Sequence, residues 1–283
     1  MFTPKSPLIL LAESGSTKTD WRLLGQHSFE TIGLNPYFVN SDTVAKELQD
    51  HIYDLTSEEV QEVHFYGTGI TDPSKGEIIA EGIRKCLGQN VKVYTYSDVI
   101  AAARSLFGDG QGIACILGTG SNTCLWTGKE IGYQVPPLGF WLGDEGSGGH
   151  LGKSLILAYL HREMPSTIRE AFENKYGPKD RLEILDHAYK RERPNQYFAA
   201  YSYFLLENES DPWCKNLIES CFIQFFEKYL LKYPQVREVS LGCVGSIAHH
   251  YGHHLEKVAL HYDLKFSKIV QKPIEELAIY HQR

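Results

Sequence analysis

Two short stretches of this chain are built alike, and they constrain its fold more than anything else in it. "AESGSTKTDW" spans residues 12–21 and "LGTGSNTCLW" spans residues 117–126. Each leaves an apolar run, "LILLA" at 8–12 and "GIACIL" at 112–117. Each then crosses Gly-Ser with a Thr close behind and re-enters a strand-like run, "TDWRLL" or "TCLWT". Apolar strand, glycine turn, apolar strand predicts a hairpin. A hairpin of the same composition in both parts of the chain predicts two α/β halves that open on the same device.

The rest of the chain fits that division. Residues 41–54 read as a helix with a Ser or Asp cap, 63–70 as a strand running into a glycine loop, and "PSKGEIIAEGIRKCLG" as a helix. "VKVYTYSD" at 91–98 is a strand, followed by an alanine-rich helix that closes at Gly108. The first half thus reads β-β-loop-α-β-α-β-α, which assembles as parallel strands joined by helices behind an opening hairpin. "FETIGLNPYF" reads as irregular, broken by Gly33, Asn35 and Pro36. The turn cluster "GDGQG" at 108–112 marks the boundary. After the second hairpin, residues 165–232 are mostly helical by periodicity. "VREVSLGCVGSIAHHYGHHLEKVA" is strand, glycine turn and helix, and "KPIEELAIYHQR" a closing helix.

Composition narrows the function. The chain has 283 residues with 42% hydrophobic residues, enough for one large or two medium domains with real cores. Its formal charge of −7 argues against nucleic acid as the main partner, because phosphate backbones demand a basic footprint. No apolar run approaches the roughly 20 residues of a membrane span. The opening "MFTPKSPLILLAESG" reads as a first strand rather than a signal peptide. The six cysteines include no CxxC pair, and Cys115, Cys124 and Cys243 lie in apolar runs as small buried hydrophobes. A reducing cytoplasm is the expected compartment.

Five segments carry chemistry. A Gly/Ser turn exposes backbone N–H groups on one concave side and so binds phosphate oxygens. Ser16, Thr17 and Thr19 add hydroxyls, Lys18 adds a charge, and Glu13 could hold water on a divalent metal such as Mg²⁺; the alternative is an ordinary polar hairpin tip. The second turn, Gly118 to Thr123 with Thr119, Gly120, Ser121 and Asn122, lacks the GxxxxGK[ST] of a P-loop and enters a strand, not the helix of a dinucleotide fingerprint. Two such hairpins, one from each half, predict a clamp for a triphosphate. Asp98 ends a strand at the side where α/β folds bind ligands; it either accepts a proton from an attacking hydroxyl or caps the following helix. "GFWLGDEGSGGHLG" at 139–152 carries six glycines with Asp144 and Glu145, suited to sugar hydroxyls. Gly245-Ser246 lies between strand and helix, suited to a nucleotide. His249, His250, His253 and His254 invite a metal reading, but no nearby carboxylate or Cys set completes a site, so a partly exposed helix surface is expected.

Taken in order, these segments resemble the N-acetylglucosamine kinase branch of the BadF/BadG-type ATPases, within the actin, hexokinase and Hsp70-like fold. The resemblance covers nearly the whole chain, and "GTGSN" with "GDEGS" is its most specific part. It implies two ribonuclease H-like domains, each a five-stranded mixed sheet flanked by helices, around a central cleft. These would be residues 1–110, with a C-terminal helix over 268–283 crossing back, and residues 111–267. It implies ATP and Mg²⁺, an amino-sugar substrate, most plausibly N-acetylglucosamine attacked through its 6-hydroxyl, and a homodimer. Carried over by position, Thr17, Thr119, Gly245 and Ser246 meet ATP and Asp98 is the base. Asn35, Ser121, Asn122, Gly139 and Asp144 meet the sugar. The family's first turn reads Gly-Gly-Gly-Thr; here Ser14-Gly15-Ser16-Thr17 restricts the backbone where glycine would be free. A second branch of the family drives a partner protein and holds an iron–sulfur cluster through cysteines; no exposed cysteine pair stands out here.

Overall fold

A computed structural model describes residues 8–52 and 60–282. The readings placed on residues 1–7, 53 and 54 lie outside them. Contacts divide the chain into two compact units, one running up to Gly108 and resumed from Lys272, the other Asp109–Gln271.

The first unit contains β1 (Leu8–Ser14), β2 (Lys18–Leu23), β3 (Ser28–Ile32), α1 (Ser41–Gln49), β4 (Val60–Gly67), α2 (Pro73–Leu87), β5 (Lys92–Ser97) and α3 (Asp98–Phe107). Its sheet runs β3-β2-β1-β4-β5. β1, β2 and β3 pair antiparallel, while β1, β4 and β5 pair parallel. The apolar run at β1 makes it the central strand, covered on both faces. Leu10 and Ala12 join Trp21, Val63 and Phe65 on one face, and Leu11 joins Tyr66 and Ala101 on the other. Asn40 caps α1 by accepting from the Thr43 N–H at 2.9 Å; Asp72 caps α2 ahead of Pro73 in the same way. β3 departs from the irregular reading of its segment. It is an edge strand with only Thr31 buried, so it lacks the apolar alternation that marks a strand. Pairing with β2 makes it, and Phe29 stacks on Trp21 at 5.8 Å between centroids.

The second unit repeats the topology. It contains β6 (Gly112–Leu117), β7 (Ser121–Trp126), β8 (Ile131–Tyr133), α4 (Gly139–Leu142), α5 (Gly148–Leu160), α6 (Ser166–Tyr176), α7 (Arg181–Tyr189), α8 (Pro194–Ala199), α9 (Ser202–Glu207) and α10 (Pro212–Lys228). β9 (Leu241–Val244), α11 (Ser246–His250), α12 (Gly252–His261) and β10 (Phe266–Val270) complete it. The order β10-β9-β6-β7-β8 matches the first sheet strand for strand. The fold class expected from the sequence is therefore the one found. Helices α4 to α10 fill the interval between β8 and β9, where the first unit has, among the described residues, only α1 between β3 and β4. Phe172, Phe204, Phe222, Phe225 and Phe226 pack them into one core with the sheet.

The chain ends in α13 (Pro273–His281), which belongs to the first unit. The helix expected over 268–283 is shorter, because residues 268–270 are the end of β10. Ile274, Leu277 and Ala278 pack against Leu11, Tyr66 and Ala101, and Arg22 pairs with Glu275 at the surface. No helix among the described residues is long and apolar enough to cross a membrane.

Leu277 is fully buried in this contact. Leu277→Ala is expected to cost about 2–5 kcal/mol, the usual range for a core truncation that leaves a cavity. Chemical denaturation reads the loss, and amide exchange should accelerate in β1 and α3.

Candidate functional site

In the first unit the ends of β1, β4 and β5 gather polar groups at one edge of the sheet. The hairpin turn is tight, with the Gly15 N–H donating to the Lys18 carbonyl at 2.9 Å. No residue from Ser14 to Lys18 has a positive φ. The two serines therefore cost the turn nothing, contrary to the expectation that glycine was needed there. Ser14 and Thr19 turn inward: Thr19 Oγ1 donates to Ser14 Oγ at 2.8 Å, which also accepts the Leu34 N–H at 2.9 Å. Together they hold the segment after β3 against the turn. Ser16 and Thr17 stand exposed at its tip, and the Ser16 N–H makes no hydrogen bond among the described residues. Lys18 points to its own sheet, donating to Asp20 at 3.1 Å and Glu30 at 2.5 Å.

Glu13 lies on the opposite face from Ser14, across the ladder from Asp20. Burial pushes its carboxyl up to about 7, with help from the charges of Asp20 and Asp98. Asp98 is the first residue of α3; Ser97 stands at the cap position without a side-chain hydrogen bond, and the Asp98 carboxylate itself accepts the backbone amides of Asp98 and Val99. Burial raises the Asp98 carboxyl above its ordinary value, against the pull of the Thr68 hydroxyl, which donates to Oδ2 at 3.1 Å. Thr68 is itself anchored by its N–H to the Ser14 carbonyl at 3.0 Å. Asn35, on the loop after β3, packs so closely on the next residue that a Cβ at Gly69 would stand 2.3 Å from Asn35 Oδ1. The fold thus brings Asn35, Thr68, Gly69 and Asp98 together. Sequence reasoning missed Thr68, although it opens the glycine loop at the end of a strand already read correctly.

The second unit uses its hairpin differently. The Gly118 N–H donates to the Gly120 carbonyl at 3.0 Å and closes the turn. The first amides of α5, from Gly148 and Gly149, take the carbonyls of Gly118 and Thr119 at 2.8 and 3.0 Å. The N–H groups of Thr119 and Gly120 make no hydrogen bond among the described residues. Asp144 presses on this turn: its Oδ1 accepts the Ser121 N–H at 3.2 Å, and a Cβ at Gly120 would stand 2.9 Å from Oδ2. It is buried, with its carboxyl raised by that burial, and its φ of 60° is unusual for a residue with a side chain. Glu145 turns away to Lys228 at 2.8 Å and holds the loop, which leaves Asp144 as the carboxylate at the turn. Asn122 Oδ1 accepts from Gln134 at 2.9 Å, and Gly139 opens α4 with φ 70°.

Beside the turn is a cavity of about 210 Å³. Gly118, Thr119 and Ser246 form one wall; Ala199, Tyr203 and Leu206 from the helical segment form another. Gly245 makes this closeness possible. Its φ is 111°, and a Cβ there would stand 2.5 Å from the Leu117 carbonyl oxygen. The helical wall was not assignable from sequence, since its periodicity reports burial but not which face borders a cavity.

Glu13 holds its proton to about pH 7 in the fold against an ordinary value of 4.5. The native state therefore binds more protons than the unfolded chain between these values and loses stability as pH rises through them. Glu13→Gln removes this penalty. Its melting temperature should exceed that of the parent by a few degrees at pH 8, with the difference vanishing near pH 5 (about 2 °C per kcal/mol is typical of a protein this size).

No protein-family model and no curated protein matches the chain. Solved structures do. A candidate N-acetylglucosamine kinase from Porphyromonas gingivalis superposes with a TM-score of 0.89 at 36% identity, covering 96% of this chain and 98% of that one. A candidate N-acetylglucosamine kinase from Chromobacterium violaceum gives 0.73 at 15% identity, over 98% and 99% of the two chains. MreB 5 of Spiroplasma citri, solved with AMPPNP bound, gives 0.54 at 10% identity over 99% and 97%, a likeness of fold alone. By its duplicated sheet, its paired turns and this full-length identity, the chain belongs to the BadF/BadG-type N-acetylglucosamine kinase family, with the actin-like ATPase fold.

Proposed function

We propose that this protein is an ATP-dependent amino-sugar kinase that phosphorylates the 6-hydroxyl of N-acetylglucosamine. The observation that carries the reading is Asp98: a carboxylate directly after β5, at the start of α3, held by Thr68 beside Asn35, in a chain 36% identical to a candidate N-acetylglucosamine kinase. Asp98 accepts the proton of the attacking hydroxyl. Its raised proton affinity makes it a better base than an exposed aspartate. The Thr68 hydroxyl, donating to Oδ2, helps fix the orientation of the carboxylate. Asn35 supplies an amide for a neighbouring sugar hydroxyl.

In the second unit, Ser121, Asn122, Gly139 and Asp144 are read as sugar contacts, Asp144 through the oxygen that the Ser121 amide leaves open. The nucleotide reading rests on the cavity and the turn. Apolar Ala199, Leu206 and Ile247 suit an adenine, and Ser246 suits its ribose or phosphates. The unpaired amides of Thr119 and Gly120 suit phosphate oxygens, as does that of Ser16 beside the Thr17 hydroxyl. The residues that would hold Mg²⁺ are Glu13 and Asp20, through water: two carboxylates whose proton affinities are both raised are a natural place for a divalent charge. When bound, Mg²⁺ neutralises phosphate charge and orients the γ-phosphate. Catalysis by the chain itself is then positioning plus proton removal. The partner-driving ATPase is the poorer reading. Five of the six cysteines are buried and Cys86 is half-buried, so the chain offers no thiol pair to a shared cluster.

ADP release with Mg²⁺–ATP across a panel of hexoses and amino sugars tests the proposal. The expected result is turnover with N-acetylglucosamine and little without sugar; ADP release indifferent to every sugar would overturn it. Asp98→Asn should lower kcat by at least about a hundredfold, the scale of general-base catalysis. An unchanged melting curve would show that the fold survives, and near-parental turnover would remove Asp98 from the base role.

A further inference from the structure

The histidines that no neighbour in sequence completes into a site gain a carboxylate in space. Glu209 lies in the turn between α9 and α10, far from His253 and His254 in the chain. Its Oε2 stands 3.3 Å from His253 Nε2 and 3.4 Å from His254 Nε2. The three ligand atoms all lie within 4.8 Å of one another. Two of them are anomalous as ordinary polar atoms. Glu209 Oε2 and His254 Nε2 are both buried and neither makes a hydrogen bond. His254 is only 2% exposed, so no bulk solvent satisfies it. A buried imidazole nitrogen and a buried carboxylate oxygen left this way are expensive.

The separations identify what would satisfy them. They are long for an N–H···O bond, which prefers 2.7–3.2 Å. Two ligands bound tetrahedrally at Zn–N or Zn–O lengths near 2.1 Å stand about 3.4 Å apart. The second nitrogen of the buried histidine is also provided for. His254 Nδ1 faces Glu219 Oε1 at 3.6 Å, and Lys257 holds Glu219 at 2.6 Å. A carboxylate behind a ligating histidine fixes its tautomer and raises its basicity, which is the usual outer arrangement of a metal-bound imidazole.

We propose that Glu209, His253 and His254 form a site for a divalent transition-metal ion of the Zn²⁺ class, with Glu219 orienting His254. The donor set, two imidazoles and a carboxylate, suits Zn²⁺ and leaves a fourth position on the side of the exposed His253. The bound ion ties the turn after α9 to the first turn of α12. Leu206 of α9 and His250 and Tyr251, just before α12, border the 210 Å³ cavity, so the site braces that wall.

The test uses the full chain, stripped with a chelator and titrated with Zn²⁺ against a chromophoric indicator, then with Co²⁺ as a spectroscopic probe. One tight equivalent is expected, with visible Co²⁺ d–d bands and no thiolate charge-transfer band. His253→Ala and Glu209→Gln alter partly exposed residues that the fold tolerates, and each should weaken binding by more than about a hundredfold. Glu219→Gln should weaken it by roughly tenfold, in the range of outer-shell changes. His249→Ala, outside the cluster, should leave affinity unchanged. Absence of a tight equivalent, thiolate bands in the Co²⁺ spectrum, or affinity unmoved by His253→Ala and Glu209→Gln would each overturn the assignment.

Discussion

The second unit's site depends on two hydrogen bonds: the amides of Gly148 and Gly149 donating to the carbonyls of Gly118 and Thr119. A helix begins with amides that have no partner within the helix. Here α5 spends its first ones on the hairpin turn. The turn's carbonyls are thereby occupied, and its own Thr119 and Gly120 amides are left without a hydrogen bond among the described residues. A polar turn that would otherwise satisfy itself becomes a donor surface for an anion. The same bonds bring Asp144, three residues before Ser147, the α5 cap, against Gly120, so the turn is bordered by a carboxylate as well.

The first unit reaches a related end without a helix. Its turn is pinned by side chains, through Ser14 and Thr19, and by the return of the chain after β3. That leaves the other face of β1 for Glu13 and its neighbours. Burial raises the carboxyls of Glu13, Asp20 and Asp98, and at Glu13 the charges of Asp20 and Asp98 add to it. Lys18, the nearest cation in the turn, is engaged by Asp20 and Glu30 and lowers the tension only in part. Clusters of this kind reduce stability and are characteristic of sites that bind cations or move protons.

Much of this was legible in the sequence. The paired hairpins located both turns, and strand-end logic pointed to Asp98, since a strand passing directly into a helix leaves few positions at the junction. What was missed follows one rule. β3, β8 and β10 are edge strands that bury little, and pairing rather than composition makes them strands. Thr68 and the α8–α9 wall contribute through three-dimensional proximity, which periodicity does not encode. Glu209 is the sharpest case: nothing near the histidines in sequence completes a ligand set with them, because the turn after α9 brings its carboxylate from another part of the chain.

The two units show how one topology is specialised by what is inserted into it. Strand for strand their sheets agree, and each opens on the same kind of turn. Among the described residues the first has one helix, α1, between its third and fourth strands. The second places α4 to α10 there, and those helices supply what the sheet lacks: α5 donates to the turn, α9 lines the cavity, and α10 carries Lys228 to Glu145 and Glu219 to His254. The large aromatic core that holds them, from Phe172 to Tyr251, is what this elaboration requires, since seven helices added to one face need their own buried surface. The duplicated frame sets where the turns are, and the inserted helices decide what surrounds the second one.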